Sequence, residues 1–185
     1  MDAETLRSQQ APIKARYRED ATSASITLRS VGTLGEGITC RLETSRGRID
    51  AGLHPATGGD GLSACSGDML LEALVGCAGV TLNAVATALE IPIRGGTVTA
   101  EGDLDVRGTL GIRKDVPVGF REIRLRFDLH ADATEEQLAT LLKLTERYCV
   151  IYQTLVRSPD MKASMIRTDD PDDLISSRPV AGREG

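Results

Sequence analysis

Two cysteines, Cys77 and Cys149, are the residues most able to do chemistry in this chain. Cys77 lies in the nearly charge-free run from Leu70 to Leu82, and Cys149 closes a more polar segment that begins near Leu144. A thiol inside a soluble protein is either a small core hydrophobe or a working nucleophile. One in each of two long helical segments points to a redox pair. Such a pair forms a disulfide only if the two Cα atoms come within about 7 Å, which spacing along the chain does not fix. A mid-helix Cys77 gains little from its own helix dipole, so a reactive thiolate there calls for a nearby cation, such as an arginine from a strand.

The remaining candidates read as structural. Cys40 shares strand parity with Ile38 and Leu42 and is expected to fill the core, and Cys65 precedes the apolar helix as a fallback resolving thiol. No C-x-x-C pair occurs and only two histidines are present, so no metal is expected. His54 and His130 end strands. Gly58-Gly59-Asp60-Gly61 lacks the lysine and hydroxyl of a phosphate loop and reads as a turn.

Alternating segments predict strands over 25–31, 37–43 and 48–54, joined by short turns into an antiparallel meander. A breaker-rich loop then leads to Ser66, a predicted N-cap, with Asp68 in the first turn of a helix that Pro92 must end. Further strands are predicted over 97–106 and 123–129, with a connecting loop over 111–119. Thr134-Glu135-Glu136-Gln137 is a capping box opening a second helix whose face is Leu138, Leu141, Leu142 and Thr145. That helix should break near Cys149 and stop near Pro159, with a last strand over 161–168. Residues 1–20 read as a polar N-terminal arm, 21–168 as one domain, and 169–185 as a disordered tail. The order predicts an α+β fold, antiparallel sheet on helices. The first helix is apolar almost all round, so a second helix or another subunit must cover it.

The 185 residues suffice for one domain, and the core must be aliphatic because tryptophan is absent. A net charge of −5 with scattered Lys and Arg argues against nucleic acid or an anionic membrane as partner. The run from Met69 to Ile91 is long enough to span a bilayer, but Glu72, Asn83 and Glu90 and the lack of basic flanks favour a buried central helix. The first residues carry no apolar signal segment, so a cytoplasmic protein with reduced thiols is expected.

Residues 58–61, the run from Ser66 to Cys77, and the run from Glu146 to Leu155 together resemble the OsmC/Ohr family of thiol-dependent peroxidases. The resemblance covers roughly residues 25 to 168. It implies an intertwined homodimer in which antiparallel sheet wraps a long central helix from each subunit. It aligns Cys77 with the peroxidatic thiol and Cys149 with the resolving thiol. The substrate implied is an organic hydroperoxide, with no bound cofactor, and electrons come from a dihydrolipoyl or thioredoxin-like dithiol protein. Two departures stand out. Many relatives have proline straight after the resolving cysteine, where this chain has Val150. The family also uses an arginine–carboxylate pair, for which the candidates here are Asp68 or Glu72 with Arg41 or Arg48. On a straight helix Asp68 lies about 180° round the axis from Cys77.

Two other functions fit the same residues. One is a non-catalytic protein of this fold that binds a small apolar ligand at the dimer interface, with the cysteines as lining. The other is a purely structural subunit, which leaves the second cysteine segment unexplained.

Overall fold

The computed structural model describes residues 1–167. The expected α+β arrangement is present. Helix α1 (Ala3–Glu19) is followed by an irregular stretch, then β1 (Gly32–Leu34), β2 (Thr39–Thr44), β3 (Gly47–Gly52) and β4 (Ala64–Cys65). The long α2 (Ser66–Ala88), β5 (Ile93–Asp103), a single turn α3 (Val106–Thr109), β6 (Glu122–Ala131), α4 (Glu135–Tyr148) and α5 (Val150–Val156) complete it. Strands β1 to β4 form one sheet in sequential order, antiparallel except for the β3–β4 pair. Strands β5 and β6 form a separate antiparallel pair.

Helix α2 organises the core. Its buried stripe is Leu74, Ala78, Leu82 and Ala86, spaced four apart so that one side chain per turn faces the same way. The lower half packs with Ile91 and Leu141, and the upper half with Cys149. Strand β6 supplies the facing wall. Ile123, Leu125, Phe127 and Leu129 point inward, while Arg124, Arg126 and Asp128 alternate outward. On the wet face Arg124 bridges Asp103, Glu101 and Glu122. Gly102 is required on β5 because the Phe120 ring lies where a Cβ would stand, at 2.5 Å.

Local sequence explains most boundaries. The Thr134–Gln137 capping box is formed in both directions, at 3.2 and 2.9 Å. Helix α2 ends before Pro92 through Glu90, whose φ of 57° is the left-handed cap position, with the Ile91 N–H returning to the Ala86 carbonyl at 2.9 Å.

Several expectations are corrected. The polar arm over residues 1–20 is a helix, because Asp2 caps it through the Thr5 N–H at 2.8 Å and Arg16 and Arg18 occupy its last turn. Residues 25–31 are not a strand. The β1–β2 ladder runs from Leu34–Cys40 to Gly32–Leu42 and β2 ends at Thr44, so it offers positions only to Val31, whose carbonyl accepts the Glu43 N–H at 3.5 Å, and Ser30, and none to residues 25–29. Ser66 is the first helical residue rather than the cap, which is Cys65 and makes no side-chain capping bond. The strand predicted over 97–106 starts at Ile93 and stops at Asp103, with a bulge between Ile93 and Gly95. The connecting loop is preceded by the α3 turn. Residues 161–167 form no strand, and the tail over 169–185 lies outside the described residues.

The first sheet lies against α2 chiefly through β4. Cys40, expected in the core, is therefore only half-buried, and Leu34, Ile38 and Ile49 are exposed. Leu70 and Val80 on α2 are open as well. By length and composition α2 would reach across a bilayer, yet its buried stripe is packed against helices and strand.

Leu141 is 1% exposed in the lower half of the core, packed with Leu82, Ala86 and Ile91. Leu141→Ala is expected to cost about 2–5 kcal/mol in chemical denaturation. Thr134→Ala, which removes only the cap, should cost about 1 kcal/mol.

Candidate functional site

Cys77 and Cys149 meet. Leu74, three residues before Cys77 on α2, and Ala78, directly after it, pack with the fully buried Cys149, and Cys77 lies against the same cluster. Cys77 is only half-buried.

Cys149 sits where the helical ladder is broken. Its backbone is extended (φ −72°, ψ 111°), so it serves both as the C-cap of α4 and as the N-cap of α5. Its N–H donates to the Thr145 carbonyl at 2.9 Å, and its Sγ accepts from the Tyr152 N–H at 3.5 Å. The break releases the first amides of α5 from helical partners. The Ile151 and Val150 amides act on the Cys77 thiol and favour its charged form.

These contacts set the two acidities apart. Burial pushes the Cys77 thiol up, but the Ile151 N–H, the Cys149 thiol, the Val150 N–H and the Thr81 hydroxyl outweigh it, and Cys77 lies below the ordinary thiol value. Burial also pushes Cys149 up. The Tyr152 N–H opposes this, but the neighbouring Cys77 adds to it, and Cys149 stays above the ordinary value. Hydrogen bonds to the charged form favour it, and desolvation disfavours it. Of the two thiols, Cys77 gives up its proton more readily and Cys149 less readily than an ordinary cysteine.

Sequence reasoning singled out both cysteines and sought an activator for Cys77 among Arg41, Arg48, Asp68 and Glu72. Among the described residues, the groups acting on Cys77 are the two amides, a thiol and a hydroxyl. Arg41 is paired with Asp50 at 2.8 Å and Arg48 with Glu43 at 3.3 Å, all exposed on the first sheet. The bond to Arg41 holds the Asp50 carboxyl below its usual range. Asp68 and Glu72 are exposed on α2, in its first two turns. The structure brings none of these four to Cys77. Thr81, one turn beyond Cys77, was legible from its i+4 spacing. The α5 amides were not, because they depend on where α5 starts in space.

A cleft of about 380 Å³ opens beside the pair. Leu74, Tyr152 and Leu155 belong to both the cleft wall and the cysteine cluster, while neither sulfur lines the cleft directly. Phe120, Ile123, Leu125 and Phe127 form its sheet side, and Arg121 and Glu146 its polar rim. Burial, with Glu146 beside it, raises the Tyr152 phenol. Among the described residues no group of three or more His, Cys, Asp or Glu side chains is placed to hold a metal.

The OsmC-like protein model matches residues 58–164, and the chain belongs to that family. Solved structures share the fold at low identity. The OsmC-like protein from Mycoplasma pneumoniae superposes with a TM-score of 0.61 and 19% identity, over 72% of this chain and 90% of that one. An organic hydroperoxide resistance protein OsmC from Legionella pneumophila gives 0.54 and 15%, over 72% and 93%. An organic hydroperoxide resistance protein from Elizabethkingia anophelis gives 0.51 and 19%, over 72% and 91%. A search of curated protein sequences found no significant match.

A depressed pKa means more thiolate at any given pH below it. Alkylation of Cys77 by iodoacetamide, followed by mass spectrometry against pH, is expected to rise at lower pH than alkylation of Cys149. Thr81→Val should move the Cys77 midpoint upward by removing one donor.

Proposed function

We propose that this protein is a thiol-dependent peroxidase that reduces organic hydroperoxides to alcohols. The observation that carries the reading is the contact between a thiol of lowered pKa and a buried, protonated one. Membership of the OsmC-like family and neighbours titled organic hydroperoxide resistance proteins support it.

The Cys77 thiolate attacks the outer oxygen of the hydroperoxide. The O–O bond breaks, the alkoxide leaves and takes a proton, and Cys77 becomes a sulfenic acid. The Cys149 sulfur then attacks the Cys77 sulfur. Its proton leaves with the sulfenic oxygen as water, and a Cys77–Cys149 disulfide remains. An external dithiol, from a dihydrolipoyl or thioredoxin-like protein, reduces that disulfide by exchange and is itself oxidised. The apolar cleft beside the pair favours organic peroxides over hydrogen peroxide.

The working form is proposed as a cytoplasmic homodimer. The open apolar side of α2, with Leu70 and Val80, and the exposed Leu34, Ile38 and Ile49 of the first sheet are surfaces that a second copy would bury. In that assembly Arg41 or Arg48, remote from Cys77 in its own chain, would reach a thiolate only across the subunit boundary, beside Asp68 or Glu72.

The reduced protein, treated with one equivalent of an organic hydroperoxide and alkylated, should yield a Cys77–Cys149 disulfide in peptide mapping within seconds. Cys77→Ser should abolish peroxide consumption. Cys149→Ser should allow one turnover and leave a sulfenic acid that dimedone traps. Normal consumption by Cys77→Ser would overturn the reading, and an apolar-ligand-binding protein would replace it.

A further inference from the structure

The residue after Cys149 is Val150, which carries an N–H that proline would lack. In an unbroken helix that N–H would return to the carbonyl four residues back, Glu146 O. Two acceptors therefore compete for it: the Glu146 carbonyl and Cys77 Sγ. A helix that annealed through Cys149 would likewise draw the Ile151 N–H back to the Arg147 carbonyl. Cys77 would lose both amides.

The Glu146 carbonyl is already taken. Gln153 Nε2 donates to it at 2.8 Å, from one turn inside α5. The amide of Gln153 thereby satisfies one of the carbonyls orphaned by the end of α4, and its own N–H anchors to the Cys149 carbonyl at 2.9 Å. The Tyr152 hydroxyl lies 3.4 Å from Glu146 Oε1, a side-chain contact that leaves the carbonyl untouched. We propose that Gln153 is a positioning residue: by occupying the Glu146 carbonyl it holds the chain open at Cys149 and leaves the first amides of α5 without helical acceptors, in the cluster where Cys77 packs. A proline at 150 would enforce the break by steric means, and Gln153 does so here by hydrogen bonding. The role rests on Cys77 being the reactive thiol, as proposed above.

The test is the pH midpoint of Cys77 alkylation by iodoacetamide, read by mass spectrometry on the full-length protein. Gln153→Met keeps size and removes the donor. Its midpoint should rise by about one pH unit, which is about tenfold less thiolate at a fixed pH well below the midpoint. Tyr152→Phe should leave the midpoint where it was. The double variant Gln153→Met with Val150→Pro should recover most of the shift, because proline restores the break and the Ile151 amide remains. A Gln153→Met midpoint equal to the parent's, or no recovery in the double variant, overturns the role. Should Gln153→Met fold poorly, Gln153→Lys retains a donor to the carbonyl, and a raised midpoint there overturns it equally. The readout involves no peroxide. A protein that shows these shifts yet consumes no hydroperoxide would refute the peroxidase reading alone, and the reverse result would refute Gln153 alone.

Discussion

The packing of one α2 stripe against Cys149 is the constraint from which the rest of the structure follows. Leu74 and Ala78 fix how deep α5 can sit on α2. Leu82 and Ala86, two turns on, fix α4 through Leu141. Because the stripe advances by four residues per step, it winds slowly round the axis, and a single straight partner helix would leave it. The partner is instead two helices with a bend between them. The bend falls at a buried thiol, small enough to lie at the contact where a larger side chain would be excluded.

A cysteine in the middle of a long apolar helix is an unpromising nucleophile, since burial raises its pKa and its own helix dipole is spent at the ends. The fold answers with partial charges rather than a full one. Backbone amides are fixed in place and need no counterion, and in a site of low dielectric they act strongly on an adjacent sulfur. The same burial that opposes ionisation at Cys77 keeps the proton on Cys149, where the Tyr152 and Ile151 amides only partly offset burial and the neighbouring Cys77 adds to it. Two amides act on each thiol, so the difference lies in the Thr81 hydroxyl at Cys77 and in the thiol–thiol interaction, which favours ionisation of Cys77 and opposes that of Cys149.

The α+β class, the long central helix, the β5–β6 pair and the Thr134 capping box were legible because each rests on local periodicity or a local cap. The first sheet was legible in its centre, where Cys40 and Leu42 alternate with Arg41, and not at its margin. Residues 25–31 alternate as a strand does, yet β2 is too short to pair residues 25–29. The N-terminal helix was missed for the opposite reason: it is polar all along, so its signal lies in the Asp2 cap and the charges of its ends. At the site, both cysteines were legible as types. What acts on Cys77 within its own chain was not, and the sequence does not show that Arg41 and Arg48 pair with Asp50 and Glu43 there. The amides of Val150 and Ile151 leave no mark in side-chain identity at all.

The scarcity of aromatic residues has an optical consequence. The chain has no tryptophan and only three tyrosines, Tyr17, Tyr148 and Tyr152. Tyr17 lies on the N-terminal helix and Tyr148 is largely exposed, whereas Tyr152 packs in the cluster that holds both sulfurs. Ultraviolet emission from this protein therefore comes from phenol rings alone, with no indole to collect their excitation. One of the three rings lies beside a group whose absorbance and quenching power change when two thiols become a disulfide. A Cys77–Cys149 disulfide, as proposed above, would be reported by the emission of Tyr152.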